Sequence, residues 1–191
     1  MSLFSSLYAW TMRWSRHPRA PWFLGGLSFA ESSFFPIPPD VMLAPMAMAN
    51  PKKAWYYAAL TTLTSVLGGM LGYFIGLYFI ETIEPMLHSY GYWEKYQLAS
   101  NWFAEYGFWA VLIAGFSPIP YKVFTISAGA ASMLMLPFIV ASIIGRGARF
   151  FLVAALMAWG GPKAEQLLHK YVDRIGWAVV VLAVVGYLLL K

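Results

Sequence analysis

Long apolar runs, cut at a few polar points, set the pattern of this chain. Ala54 to Ile80 is 27 residues without a charge and predicts a transmembrane helix, 54–80. Pro137 to Trp159 predicts a second (137–160), interrupted only by Arg146 and Arg149 and ended by Gly160, Gly161 and Pro162. Gly176 to Leu190 predicts a third, short span (175–190). Two other apolar stretches, Pro21 to Ala30 and Val41 to Ala49, are too short to cross a bilayer, which takes roughly 20 residues. Between them lies ESSFFPIPPD, residues 31–40. Pro36, Pro38 and Pro39 remove three backbone donors, and Phe35 and Ile37 are pushed toward extended geometry. The pattern predicts a helix in, a break and a helix out: a re-entrant hairpin over 21–49. Such backbone is tolerated at membrane depth only where protein or water covers it. A plain loop between two interfacial helices is the alternative.

The same pattern returns at 107–135. Phe108 to Phe116 runs in, Ser117 to Lys122 (SPIPYK) forms a tip with Pro118 and Pro120, and Val123 to Leu136 runs out. Residues 1–20 place Leu3, Leu7, Trp10 and Trp14 at helical spacing with Arg13, Arg16 and Arg19 near the end, which predicts an amphipathic helix, either at the headgroup layer or as a plain cytoplasmic cap. Asn50 to Lys53 marks a return to water, and Glu81 to Asn101 reads as a polar connection with a short interfacial helix over Leu98–Tyr106. Lys163 to Arg174 reads as polar and amphipathic.

The halves match beyond their tips: SVLGGMLGYF at 65–74 lines up with SIIGRGARFF at 142–151. A hairpin returns to its own side and one helix crosses, so the second half starts on the opposite face. The expected fold is an all-α integral membrane protein built as an inverted-topology repeat, each half a re-entrant hairpin followed by a transmembrane helix, with a C-terminal transmembrane helix added. With the N-terminus cytoplasmic, eight lysines and arginines fall inside (13, 16, 19, 52, 53, 163, 170, 174) and two outside (95, 191), as the positive-inside rule requires.

Composition narrows the class. At 60% hydrophobic and 11% charged, 191 residues read as one membrane domain, 1–191. The net charge of +5 sits at the edges of apolar runs, which argues against nucleic-acid binding. The chain has no cysteine and three scattered histidines, so no metal site or cofactor is expected. No nucleophile–base pair has a credible context, so an enzyme is not expected.

Five ionisable residues fall where lipid should be: Glu31, Asp40, Lys122, Arg146 and Arg149. Each costs roughly 2.5–3.5 kcal/mol at a helix centre and by default marks an ion or substrate path. Asp40 and Lys122 occupy equivalent places in the two repeats, while Arg146 and Arg149 are three apart, on one helix face. One reading is structural, with the acids neutralising the bases and locking the tips together. The other adds a substrate. Helix N-termini at the tips favour an anion, arginine grips phosphate in a bidentate way, and burial makes either carboxyl a candidate proton carrier.

On the Glu31…PIPPD hairpin, GFSPIPYK at 115–122 with Gly129 after it, and GRGARF at 145–150, the sequence resembles the DedA family, also called the VTT or SNARE-associated family, over roughly 20–190. It looks closest to members with PIPYK in the second hairpin. Many members carry arginine at the positions of Ser117 and Lys122, so one positive charge is absent here. The acidic positions important in the family match Glu31 and Asp40. The resemblance implies a flippase- or scramblase-like lipid transporter in the bacterial inner membrane, moving a phospholipid or polyprenyl phosphate, often linked to the proton motive force. The implied site is Glu31, Asp40, Ser117, Lys122, Arg146 and Arg149, framed by the hairpin-tip prolines (Pro36, Pro38, Pro39, Pro118, Pro120), with a homo-oligomer open. Independently of the resemblance, a proton-coupled carrier of a soluble solute and a structural membrane protein without substrate both stay open.

Overall fold

The computed structural model describes residues 17, 19–33, 37–117, 120–160 and 181. Most of the N-terminal amphipathic segment, the stretch 163–174 and the C-terminal span 175–190 lie outside them. The described residues are helical, with no strand. In order they form α1 (Ala20–Ser33), α2 (Asp40–Ala49), a 3-10 turn (Pro51–Lys53), α3 (Ala54–Ser89), α4 (Trp93–Phe116), α5 (Tyr121–Ala130) and α6 (Met135–Gly160). Helix α1 is described as far as Ser33 and α2 begins at Asp40, just after Pro38 and Pro39; Pro120 likewise stands just before α5.

The stretch from Pro51 to Ser89 and α6 are long and apolar enough to cross a membrane. They run antiparallel: Trp55 meets Trp159 at 6.1 Å between ring centroids near one end, and Tyr73 meets Phe138 at 5.3 Å near the other. The outward stripe of α3 is large and apolar (Leu63, Leu67, Leu71, Phe74, Tyr78), while its buried face is small and polar (Thr61, Ser65, Gly68, Gly72, Gly76). Small residues inside and large ones outside suit a helix whose surroundings are lipid.

That small face lets α1 and α5 lie along α3. A Cβ on Gly68 would stand 2.1 Å from the Phe29 carbonyl oxygen of α1; one on Gly76 would stand 1.9 Å from that of Ile126, and one on Gly129 of α5 1.8 Å from that of Tyr73. The second half repeats the device. A Cβ on Gly145 of α6 would stand 2.5 Å from the carbonyl oxygen of Leu112, four residues before the end of α4, as Phe29 is four before the end of α1.

Three boundaries differ from those read off the sequence. Helix α3 does not stop at Ile80 but continues to Ser89 through Glu81 and Glu84. Glutamate is a good helix former, and Pro85 forfeits one backbone bond at an exposed place where water can replace it. The stop is a Schellman turn: Tyr92 N–H donates to Leu87 O at 2.9 Å and Gly91 N–H to His88 O at 3.2 Å, with Gly91 at φ +71°. Next, no separate interfacial helix precedes an arm at 108; α4 is one helix from Trp93, because nothing between Tyr92 and Phe116 breaks it. Finally, the outward arm ends at Ala130, and α6 starts at Met135 instead of Pro137. A second Schellman turn stops α5. Met133 N–H donates to Ala128 O at 3.0 Å and Ser132 N–H to Gly129 O at 2.9 Å, with Ser132 at φ 52°. Tyr96 and Ser100 of α4 donate side-chain hydrogen bonds to the Ala130 and Ala131 carbonyls beside that turn.

Candidate functional site

Glu31 and Asp40 meet Arg146 and Arg149 of α6. Arg146 is 11 residues into α6, and its partner Ser65 is 11 residues into α3. At 1.5 Å per residue both lie about 16 Å from their helix starts.

Arg146 is 4% exposed. Its Nη2 bonds Glu31 Oε2 and reaches Ser32 Oγ at 3.4 Å, and its Nε donates to Ser65 Oγ at 2.7 Å. Ser32 and Ser65 share a hydrogen bond of 2.7 Å, and Ser32 also donates to Glu31 Oε2 at 3.1 Å. The guanidinium faces are covered by the rings of Tyr121 (4.9 Å) and Phe150 (4.6 Å), which adds cation–π attraction in a dry place. Tyr121 OH in turn donates to Ser142 Oγ, and Ser142 Oγ to Phe138 O at 2.6 Å.

Arg149, one turn on, makes the second ion pair. Its Nη2 meets Asp40 Oδ2 at 2.7 Å, and its Nη1 donates to the carbonyls of Ser117 (3.0 Å) and Phe116 (3.4 Å). Asp40 is the first residue of α2, where the helix dipole favours a carboxylate, and Ser117 caps the C-terminus of α4. Asp40 Oδ1 and Ser117 Oγ are buried and make no hydrogen bond among the described residues. Lys122 lies half-buried in the first turn of α5. Of the tip prolines, Pro39 is buried and Pro38 and Pro120 are exposed; Pro36 and Pro118 lie outside the described residues.

The sequence profile of the VTT domain matches residues 37–159, which contain α2 to α5, nearly all of α6, and Asp40, Lys122, Arg146 and Arg149. The chain belongs to the VTT-domain family, also called the DedA family. It is a membrane transporter family. An uncharacterised protein of Haemophilus influenzae is 48% identical over the whole of both chains, and one of Histophilus somni is 46% identical, again end to end. Undecaprenyl phosphate transporter A of Staphylococcus aureus is 30% identical over 140 residues, 67% of each chain. No solved structure matches.

Within this VTT-domain chain, the structure joins Glu31 to Arg146 and Asp40 to Arg149, and puts Ser117 against Arg149. Ser32, Ser65, Tyr121 and Phe150 were not singled out from sequence. The available signal was the match of Ser65 to Ser142 in the repeated S-x-x-G segments, since a serine kept in an apolar helix is otherwise hard to justify.

Proposed function

We propose that this protein is a flippase- or scramblase-like lipid transporter that carries a phosphate-bearing lipid, a phospholipid or polyprenyl phosphate, past the charged centre between α3 and α6, with protons as coupling ions. The observation that carries the reading is the pair of arginine–carboxylate contacts between apolar helices, Arg146 with Glu31 and Arg149 with Asp40, beside the buried Ser117 hydroxyl: guanidinium groups held in such a place suit a lipid phosphate. A lipid reaches such a site from within the bilayer, where a soluble anion must first shed its water. The transport named for the Staphylococcus aureus relative, of a polyprenyl phosphate, supports the same class.

The reading takes the two helix breaks as re-entrant tips entering from opposite faces of the inner membrane, with the N-terminus cytoplasmic. The antiparallel spans support it, as do the matching close approaches at Gly68 and Gly145. The test is reconstitution: fluorescent phospholipid and short-chain polyprenyl phosphate are followed across proteoliposome membranes, with and without an imposed pH gradient. Translocation above protein-free vesicles is expected. Its absence for every phosphate lipid tried overturns the reading.

A further inference from the structure

The two arginines sit in different kinds of surroundings, although they are one turn apart on the same helix. Arg146 is tied to α1 through Glu31 and Ser32, to α3 through Ser65, to α5 through the Tyr121 ring and to its own helix through Phe150. Ser32, Ser65, Tyr121 and Phe150 are all fully buried. If Arg146 moved, Ser65 and Ser32 would lose their charged partner, Glu31 would become a buried unpaired acid, and two rings would face a void. The knot commits Arg146 to groups on three other helices.

Arg149 reaches the ends of two elements. Asp40 is the first residue of α2, and Phe116 and Ser117 close α4, so these contacts border the two breaks in the helical path. Beside it stand the orphaned pair, Asp40 Oδ1 and Ser117 Oγ. Ser117 is 2% exposed. Buried polar groups are nearly always paired, and leaving one unpaired costs more than a hydrogen bond returns on average. This half of the centre is therefore the one that gains when a ligand arrives.

We propose that the arginines divide the work: Arg146 is a fixed tie between helices, and Arg149 exchanges Asp40 for the phosphate of the lipid, with Ser117 Oγ donating to the same phosphate. This rests on the function proposed above and names the residues that select the headgroup. A guanidinium meets a phosphate as well as it meets a carboxylate, with two parallel bonds. The exchange leaves Asp40 without its cation, so the ligand must offer it a hydrogen. The occupant is thus a phosphate that carries a hydrogen-bond donor: the acidic O–H of a phosphate monoester, or the ammonium N–H of an ethanolamine headgroup. A choline headgroup has neither.

The test is binding to the full chain in detergent, with farnesyl phosphate, dihexanoyl phosphatidylethanolamine and dihexanoyl phosphatidylcholine as probes. The melting temperature is recorded for each variant. Arg149→Gln is expected to weaken farnesyl phosphate binding by about tenfold or more while the protein still melts cooperatively. Asp40→Asn releases Arg149 and binds it at least as tightly as the wild type. Ser65→Ala, which loosens the Arg146 knot without removing a charge, lowers the melting temperature by about 4 °C or more and shifts affinity less than about twofold. Phosphatidylethanolamine binds about tenfold or more tightly than phosphatidylcholine. Unchanged binding in Arg149→Gln, or a loss in Ser65→Ala as large as in Arg149→Gln, overturns the division of work. Equal binding of the two phospholipids overturns the donor requirement. A wild type that binds none of the three probes overturns the proposed function and this inference together, whereas normal wild-type binding with an indifferent Arg149→Gln sinks the inference alone.

Discussion

Arg146 Nε donates to Ser65 Oγ at 2.7 Å, across 81 residues of chain. This bond ties the two antiparallel spans, and Ser32 joins it from a third helix. Removing the Ser65 hydroxyl leaves a buried guanidinium hydrogen without an acceptor, a loss of about 1–3 kcal/mol. Ser32→Ala and Ser65→Ala share partners, so their costs are expected to be non-additive by about 0.5 kcal/mol or more. Denaturant or thermal melts of both single variants and the double variant measure this, and strict additivity would show that the hydroxyls act separately.

Gly129 and Gly76 bring α5 and α3 into backbone contact from both sides. Gly129→Ala drives a methyl into the Tyr73 carbonyl, and about 1–3 kcal/mol or more should be lost. Gly26, inside α1, has nothing within 4 Å of its Cβ direction, so Gly26→Ala is the control and should melt at or slightly above the wild type, since alanine favours helix. A harmless Gly129→Ala would mean that the helices do not approach this closely.

The two Schellman turns make opposite predictions. Ser132 holds φ 52°, where a side chain is strained, so Ser132→Gly should stabilise by about 1 kcal/mol. Gly91 holds φ +71°, so Gly91→Ala should destabilise by about the same amount. Melts of the two variants should move in opposite directions; a shift of the same sign in both contradicts the turn geometry.

Single cysteines can be introduced cleanly, because the chain has none. Cysteines at positions 52 and 163 are expected to label from the cytoplasm, and one at 95 from outside. Labelling of 52 and 95 from the same face would remove the inverted repeat and the opposed entry of the two tips.

The proposed proton coupling is tested at Asp40, whose Oδ2 meets Arg149 and whose Oδ1 is buried without a hydrogen bond among the described residues. Asp40→Asn should make translocation indifferent to an imposed pH gradient. Glu31→Gln should act through stability, losing about 3–5 kcal/mol as a broken buried pair does. A gradient that still accelerates Asp40→Asn as it does the wild type would clear Asp40 of the role.

The breaks and the buried charges were legible because proline and charge are loud signals in an apolar chain. The restart at Asp40 and the start of α3 at Ala54 agree with what Pro38, Pro39 and Pro51 dictate, while α1 carries helix through Glu31 to Ser33, past the Ala30 read as the end of the arm. The extent of α3 and α4 was not legible, because Glu81, Glu84 and Glu94 read as signs of water although they are compatible with helix. There the informative residue was Gly91, which ends α3 by its left-handed turn. Pairing was also hidden. Glu31 and Arg146 are 115 residues apart, and Asp40 and Arg149 are 109 apart, and only the packing of the spans decides which acid meets which base.

The unbroken course of α4 has a mechanical consequence. Its 24 residues from Trp93 to Phe116 make a rod about 36 Å long. Near its start Tyr96 and Ser100 are fastened to the Ala130 and Ala131 carbonyls at the end of α5, and at its other end the Ser117 carbonyl meets Arg149. One strut thus sets the spacing between the far end of α5 and the charged centre.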